Sequence, residues 1–460
     1  MLTRTANGDT RLSFWQRVRE FAVPPTMIET STARRLVGDW AGACAAAGVD
    51  VDLDLRSVAR AHGSDLAALI RGDLRHLAPD LLRWHLPRVA PDGLLRPGLT
   101  VPLARYGAGA VQLVVRTPPA WADAGQRIGL ALWDASRAGS RDRRHPHPHP
   151  HPHPHPHPHP HPHRRFRFDL HRHLWDARRA HELGERAGAD RPPADRIPVP
   201  PGFACAVDRW AAEAGILLRA EGRPPGAVAV RLGSRQRLVL DLLADGVGLT
   251  VTPSTADRAA GLPVLPDAAT WLLPDLELLR AGLIRPDRLH PLVAAALAPG
   301  HRPAPAPAGA PDPAGAPHPV ECRGALHRIG LVDGVLVPLD HDPAEIRREE
   351  LLASLTGTPL PCLQVIDRAH RHPENLDDVR ARLAHGDTAG ALAVVEGLLG
   401  PEALLRDGAL RDDLEKAARR RIAYGLFRAG LVGSRPEHVG RPGLRRSRGR
   451  RSRPRHADSR

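Results

Sequence analysis

Thr100-Val101-Pro102-Leu103-Ala104-Arg105-Tyr106, then Ala110-Val111-Gln112-Leu113-Val114-Val115, then Arg127-Ile128-Gly129-Leu130-Ala131-Leu132-Trp133 follow one another with only Gly- and Pro-containing stretches between them. Their β-branched and alternating apolar residues read as short strands joined in a meander. A second meander runs from Val228 to Val251, with breaks near Gly233-Ser234 and Asp245-Gly246. No single crossover helix separates the strands within either set. The expected fold is therefore α+β rather than a doubly wound parallel sheet.

Outward from the meanders, the periodicity becomes helical. Leu66, Leu69, Ile70, Leu74, Leu77, Leu81 and Leu82 recur at helix spacing up to Pro87, inside a helical block spanning about residues 12–90. Phe166-Arg167-Phe168 reads as a further strand, and Pro253-Ser254-Thr255 as a turn. Helices are expected near 267–281 and 287–298. Val320 to Ile329 is strand-like, Asp333-Gly334 is a hairpin signal, and helices dominate from Pro343 to Leu431. The expected organisation is a flexible segment 1–20, an α+β region 21–300, a Pro/Ala/Gly linker 301–319, a hairpin-plus-helix domain 320–432, and an Arg-rich tail 433–460 expected to be disordered.

Composition excludes several chemistries. Among 460 residues Lys416 is the only lysine, so a P-loop, a kinase-like site and a Schiff-base enzyme each lack their essential amine. Lys416 lies four residues after Asp412 and reads as an exposed helix pair. The net charge of +14 is concentrated at one end. Residues 435–460 hold ten Arg against Glu437 and Asp458, leaving a mildly basic remainder. That tail could hold nucleic acid weakly and without sequence preference. Abundant Ala, Gly, Pro and Arg match a GC-rich genome, so arginine alone does not signal phosphate binding.

Cys44, Cys205, Cys322 and Cys362 are far apart and form no CxxC pair. Reduced buried thiols are expected, neither a disulfide framework nor a cysteine-rich zinc site. Met1 to Pro25 has no continuous apolar core of a signal peptide, and no stretch reaches the roughly 18 apolar residues of a membrane helix. A cytoplasmic setting with no membrane partner is the expectation.

The most conspicuous segment alternates histidine with proline: His145, His147, His149, His151, His153, His155, His157, His159, His161 and His163. Proline fixes φ and removes donors, so an extended rod of about 3.1 Å per residue is expected. Imidazoles could capture Zn, Ni or Cu, but neighbours on a stiff rod point apart and cannot close one chelate. A surface-loop spacer is the plainer reading. Other weak metal candidates are Asp340 and His341 of Asp340-His341-Asp342, His370 and His372, and the pair His171 and His173. Surface histidines, and Asp342 with Pro343 opening a helix, are the alternatives. No GxSxG elbow occurs, and Gly107-Ala108-Gly109 lacks the remainder of a dinucleotide fingerprint.

One internal echo links Gly38-Asp39-Trp40-Ala41-Gly42-Ala43-Cys44-Ala45 to Gly386-Asp387-Thr388-Ala389-Gly390-Ala391-Leu392-Ala393. It reads as a shared helix-capping solution, with repeat-type helical hairpins as the alternative.

Two stretches resemble uncharacterised proteins of high-GC actinobacteria. One runs from Phe21-Ala22-Val23-Pro24 to Trp84-His85-Leu86-Pro87, the other from Cys322-Arg323-Gly324-Ala325 to Arg421-Ile422-Ala423-Tyr424-Gly425-Leu426. The resemblance implies a bacterial, cytoplasmic protein and carries no activity with it. The function expected from the sequence is a noncatalytic interaction or scaffold protein docking a protein partner. Two alternatives remain open. One is a metal-dependent hydrolase using Asp340, His341 and His370 or His372; the other is a nucleic-acid-associated protein acting through residues 435–460.

Overall fold

A computed structural model describes residues 8–136, 161–190, 203–233, 236–243, 248–254, 259, 261–301, 318–322, 324–333, 335–357, 359–401 and 403–431. The architecture is α+β, with helical blocks flanking short sheets. Residues 145–160 of the histidine–proline run, most of the linker and the basic tail lie outside these segments.

The chain opens with α1 (Gly8–Phe21), α2 (Pro25–Leu36) and α3 (Trp40–Ala46). The segment expected to be flexible thus begins a helix, because Trp15 and Val18 of α1 are buried in the main core. Pro24 holds an extended φ/ψ and Pro25 occupies the first turn of α2, where its missing N–H costs nothing. Next come β1 (Val49–Asp52), α4 (Leu55–His62), α5 (Ser64–His76) and α6 (Pro79–His85). The short pair β2 (Arg88–Val89) and β3 (Leu94–Leu95) precedes β4 (Thr100–Tyr106), β5 (Val111–Arg116) and β6 (Ile128–Asp134).

The first sheet has the order β1-β6-β5-β4. The expected meander β4–β5–β6 is antiparallel, and β1 adds to β6 in parallel, a strand the sequence reading missed. Val111 to Val115 are all buried, so β5 is covered on both faces. Phe166-Arg167-Phe168 is not a strand but a turn-rich segment with both rings buried.

The second unit contains α7 (Leu183–Ala187), α8 (Trp210–Ala220), and an antiparallel sheet β7 (Ala227–Arg231), β8 (Arg237–Leu242) and β9 (Leu249–Ser254). Residues of β8 alternate between half-exposed and buried, the period-two signature of a sheet with one covered face. Pro253 and Ser254 extend β9 instead of turning, and β9 is an edge strand, where proline is tolerated. The helices expected at 267–281 and 287–298 are shorter: α9 (Asp267–Thr270), α10 (Pro274–Arg280) and α11 (Pro291–Leu297). Buried pairs tie this stretch to the N-terminal helices. Arg19 grips Asp275 through two 2.7 Å bonds, Trp84 Nε1 donates to the same carboxylate, and His290 stands 3.0 Å from Asp80.

The last unit is a three-stranded antiparallel sheet, β10 (His318–Cys322), β11 (Ala325–Val332) and β12 (Val335–Pro338). Val332 pairs with Val335 around the hairpin that Asp333-Gly334 signals. Five helices follow: α12 (Pro343–Thr356), α13 (Pro361–Arg371), α14 (Leu376–His385), α15 (Thr388–Leu399) and α16 (Ala409–Arg428). This unit packs back on the first. The buried guanidinium of Arg83 donates to the carbonyls of Ala22, Gln126 and His385, so one side chain joins α6, the end of α1, the turn before β6 and α14. At the far end Tyr424 donates to Asp50, Arg428 pairs with Asp52, and Phe427 meets Trp121 edge-on at 5.6 Å. Among the described residues no helix is long and apolar enough to cross a membrane.

Candidate metal centre

The third sheet sets two potential ligands on one face. Register pairs Val320 with His327 and Cys322 with Ala325. Cys322 and Val320 are two residues apart on β10 and share a face, so His327 on β11 lies diagonally across from Cys322 on that same face. Ile329, two residues beyond His327, is buried and marks it as the covered side. Leu326 and Arg328 alternate outward to solvent.

Two more ligands arrive from the segments after β12. Arg328 fixes the turn there: its backbone N–H and guanidinium donate to Asp340, and Leu339 N donates to its carbonyl. His341 is thereby held under the sheet, with its side chain only 3% exposed. Asp342 caps α12 by accepting from Ala344 N at 2.9 Å, with Pro343 in the first turn. Cys362 sits in the first turn of α13, which buries Cys362 and Ile366 against Cys322 and Ile329.

The result is a convergence of soft and borderline donors. Ligand atoms of Cys322, His341 and Cys362 lie within 4.8 Å of one another. Bonds of about 2.0–2.3 Å to a tetrahedral zinc would place them roughly 3.3–3.8 Å apart, a contraction of at most about 1.5 Å. His327 stacks on His341 with ring centroids 3.9 Å apart, so its ring lies beside the three but outside the set whose ligand atoms converge. Two ring nitrogens are buried without a hydrogen-bond partner, His341 Nε2 and His327 Nδ1. The other ring nitrogen of His341, Nδ1, faces Glu345 at 3.7 Å. That is the outer carboxylate which commonly orients a metal-bound imidazole. Both thiols are free, and burial first, then the neighbouring Cys322 thiol, pushes Cys362 up to about 11. Two of the cysteines expected to be isolated buried thiols are therefore neighbours, and the sequence spacing gave no sign of it.

The remaining sequence candidates go elsewhere. Asp340 is next to the centre in sequence, but Arg328 occupies both its oxygens and holds its carboxyl down to about 2. His370 is buried on α13, eight residues past Cys362 and about 12 Å along the axis. His372 is exposed at the C-cap of that helix. Of the histidine–proline run, His145, His147, His149, His151, His153, His155, His157 and His159 lie outside the described residues. His161 meets the Trp133 ring at 5.6 Å, and His163 accepts a bond from Arg165 N through Nδ1.

His171 and His173 are both buried, with ring centroids 5.7 Å apart. His171 Nδ1 donates to Arg167 O at 2.9 Å and its Nε2 stands 3.2 Å from Glu213, which Arg186 also grips. Burial alone would raise the Glu213 carboxyl, but His171 and Arg186 together hold it at about 2. With His85 these residues line a cavity of about 40 Å³. At about 10–15 Å³ per water, that is room for roughly three waters. Among the described residues only the cysteine–histidine group brings three metal donors together.

No family model, curated protein or solved structure matches the chain, so this geometry stands as the guide to function.

Proposed function

We propose that this is a noncatalytic protein with a structural zinc centre, whose C-terminal unit presents α12 to a protein partner. The observation that carries the reading is the convergence of Cys322, His341 and Cys362, with His327 stacked beside them. Two thiolates and an imidazole with an open fourth position would suit a catalytic zinc, whereas four protein donors close the site. His327, stacked on His341, is the side chain placed to supply that fourth donor by turning toward the three. Asp340, the nearest carboxylate in sequence, is occupied by Arg328, which leaves the hydrolase alternative without one of its ligands. A zinc here would tie β10, β11 and the β12–α12 turn to the start of α13, so the metal works as a staple. The docking part is supported by α12 itself, where Leu351, Leu352 and Leu355 share one exposed face.

Cobalt substitution of the full chain tests the centre. The histidine–proline run contains no sulfur, so it cannot produce a thiolate-to-cobalt charge-transfer band. One cobalt per chain should give that band with intense tetrahedral visible absorption. Cys322→Ser and Cys362→Ser should each weaken or remove the band, and His327→Ala should remove the tetrahedral signature. No sulfur band in the unaltered chain would refute the centre. An unchanged spectrum in His327→Ala would refute the closed structural site and favour an open, catalytic one.

A further inference from the structure

Three concavities differ in size and charge. The histidine-lined cavity of about 40 Å³ is far below the roughly 300–1,000 Å³ of small-molecule sites. A cleft of about 540 Å³ between α1, α2 and residues 282–291 mixes Arg285 and Arg288 with Glu20, Glu29 and Asp287, so its charges favour no ligand class. The third, about 390 Å³, has the size and an excess of positive charge, with Glu221 as the carboxylate among its arginines.

This cleft lies where the first sheet, the 161–168 segment and the second unit meet, the kind of junction where ligand sites concentrate. Arg105 from β4, Trp133 from β6, Arg164, Arg167 and Arg223 line it, with Glu221 as the lining carboxylate. Arg167 is committed to Asp169 and Glu221, and Arg223 leans on Glu221 at 3.7 Å. Arg105 and Arg164 have no carboxylate partner among the described residues, and both are exposed in the cleft. Trp133 Nε1 is buried and unpartnered; an indole N–H can only donate, so whatever completes it must be an acceptor.

We propose that this cleft binds a small molecule bearing a phosphate or diphosphate group, held by the guanidinium groups of Arg105 and Arg164 and by the Trp133 indole N–H. Guanidinium forks match phosphate oxygens bidentately, and a partly enclosed cleft strengthens each charge-assisted bond. The walls fit a ligand of nucleotide size rather than a continuous polymer. The site is separate from the cysteine–histidine centre and independent of it.

Calorimetric titration of the full chain, at pH 7.5 and low salt, uses three probes: inorganic diphosphate, adenosine monophosphate and adenosine. The two phosphorylated probes should bind and adenosine should not. Tighter binding of the monophosphate than of diphosphate would identify an organic phosphate as the ligand, and the reverse order an inorganic one. Arg105→Ala with Arg164→Ala should weaken binding at least tenfold, and Trp133→Phe a few-fold. Arg56→Ala with Arg60→Ala removes the same charge from exposed positions on α4 and should change nothing. Circular dichroism should be unaltered in the arginine variants, whose side chains lie outside the core. No phosphate binding at millimolar probe, or equal losses in the two arginine pairs, overturns the site. Retention of binding in Arg105→Ala with Arg164→Ala also overturns it, placing the anion elsewhere, as on the basic tail.

Discussion

Gly38 and Gly386 end their helices with φ of +81° and +89°, a region where a side chain costs about 1–2 kcal/mol. After each comes an aspartate, Asp39 or Asp387, that accepts from the backbone N–H three residues on, at Gly42 or Gly390. A methyl at Gly42 or Gly390 would meet the capping carboxylate at 2.1 Å, which explains the second glycine of each copy. The echo in sequence is thus one capping geometry used twice. What differs is the surroundings. Nothing lies within 4 Å of a Cβ built on Gly38, whereas one on Gly386 would sit 2.1 Å from the carbonyl oxygen of Gly125, where the C-terminal unit rests on the first. Gly38→Ala should therefore destabilise by about 1–2 kcal/mol, and Gly386→Ala by roughly 2–5 kcal/mol as overpacking adds to the backbone cost. Urea denaturation of the two variants measures the gap. Equal losses would show that the close approach at Gly125 does not hold in solution.

Elements were legible where the signal was local. The meander β4–β5–β6, the hairpin at Asp333 and the capped start of α12 at Asp342-Pro343 all follow from spacing and turn residues. β1 was not, although Val49-Asp50-Val51-Asp52 alternates, because its parallel partner β6 is far along the chain and only tertiary structure supplies it. Phe166-Arg167-Phe168 has strand-like residues but lies outside every sheet ladder; Arg167 instead folds back on Asp169. The metal centre failed for the same reason as β1. His341 was a sequence candidate, but Cys322, His327 and Cys362 come from three other elements, with no short spacing to link them. The available hint was compositional: two of only four cysteines and two histidines fall between residues 322 and 362. One element also makes a prediction. None of residues 343–355 is buried, although α12 carries Ile346, Leu351, Leu352 and Leu355. Helices of this length owe most of their stability to packing, and among the described residues nothing buries this one, so a partner laid along it is the expectation. A photo-crosslinker at position 352, and separately at 355, should trap the same discrete protein in the native host, while one at Arg60 on α4 should not. No adduct, or the same adduct at all three positions, would remove the docking role.

At the scale of the whole molecule, the junction between the C-terminal unit and the rest is one place where acid acts. His385 is buried there against Phe21, whose ring lies 6.3 Å away and nearly parallel, and Arg83 donates to its carbonyl. Burial first, then the positive charges of Arg88, Arg83 and Arg17, lowers His385 to about 3, against a hydrogen bond from the ring to the Asp92 backbone carbonyl that acts to raise it. A base with a lowered folded-state pKa is neutral in the folded chain while its unfolded counterpart takes up a proton below about 6.5. Stability linked to His385 is therefore full above pH 6.5 and declines as the pH falls toward 3. Its limiting slope is one proton, about 1.4 kcal/mol per pH unit. Glu213 acts in the same direction but lower, because a carboxyl held at about 2 loses its contribution only as the pH drops below about 4.5. Unfolding free energies measured by urea at several pH values between 6.5 and 4.5 separate the two. His385→Gln keeps a polar side chain but cannot titrate, so its slope in this window should be shallower than the parent's by close to one proton. Comparing the two chains cancels every other titrating group, the cysteine–histidine centre included. A uniform drop in stability with an unchanged slope would mean that His385 only fills space, and that protonation at this junction does not loosen the C-terminal unit.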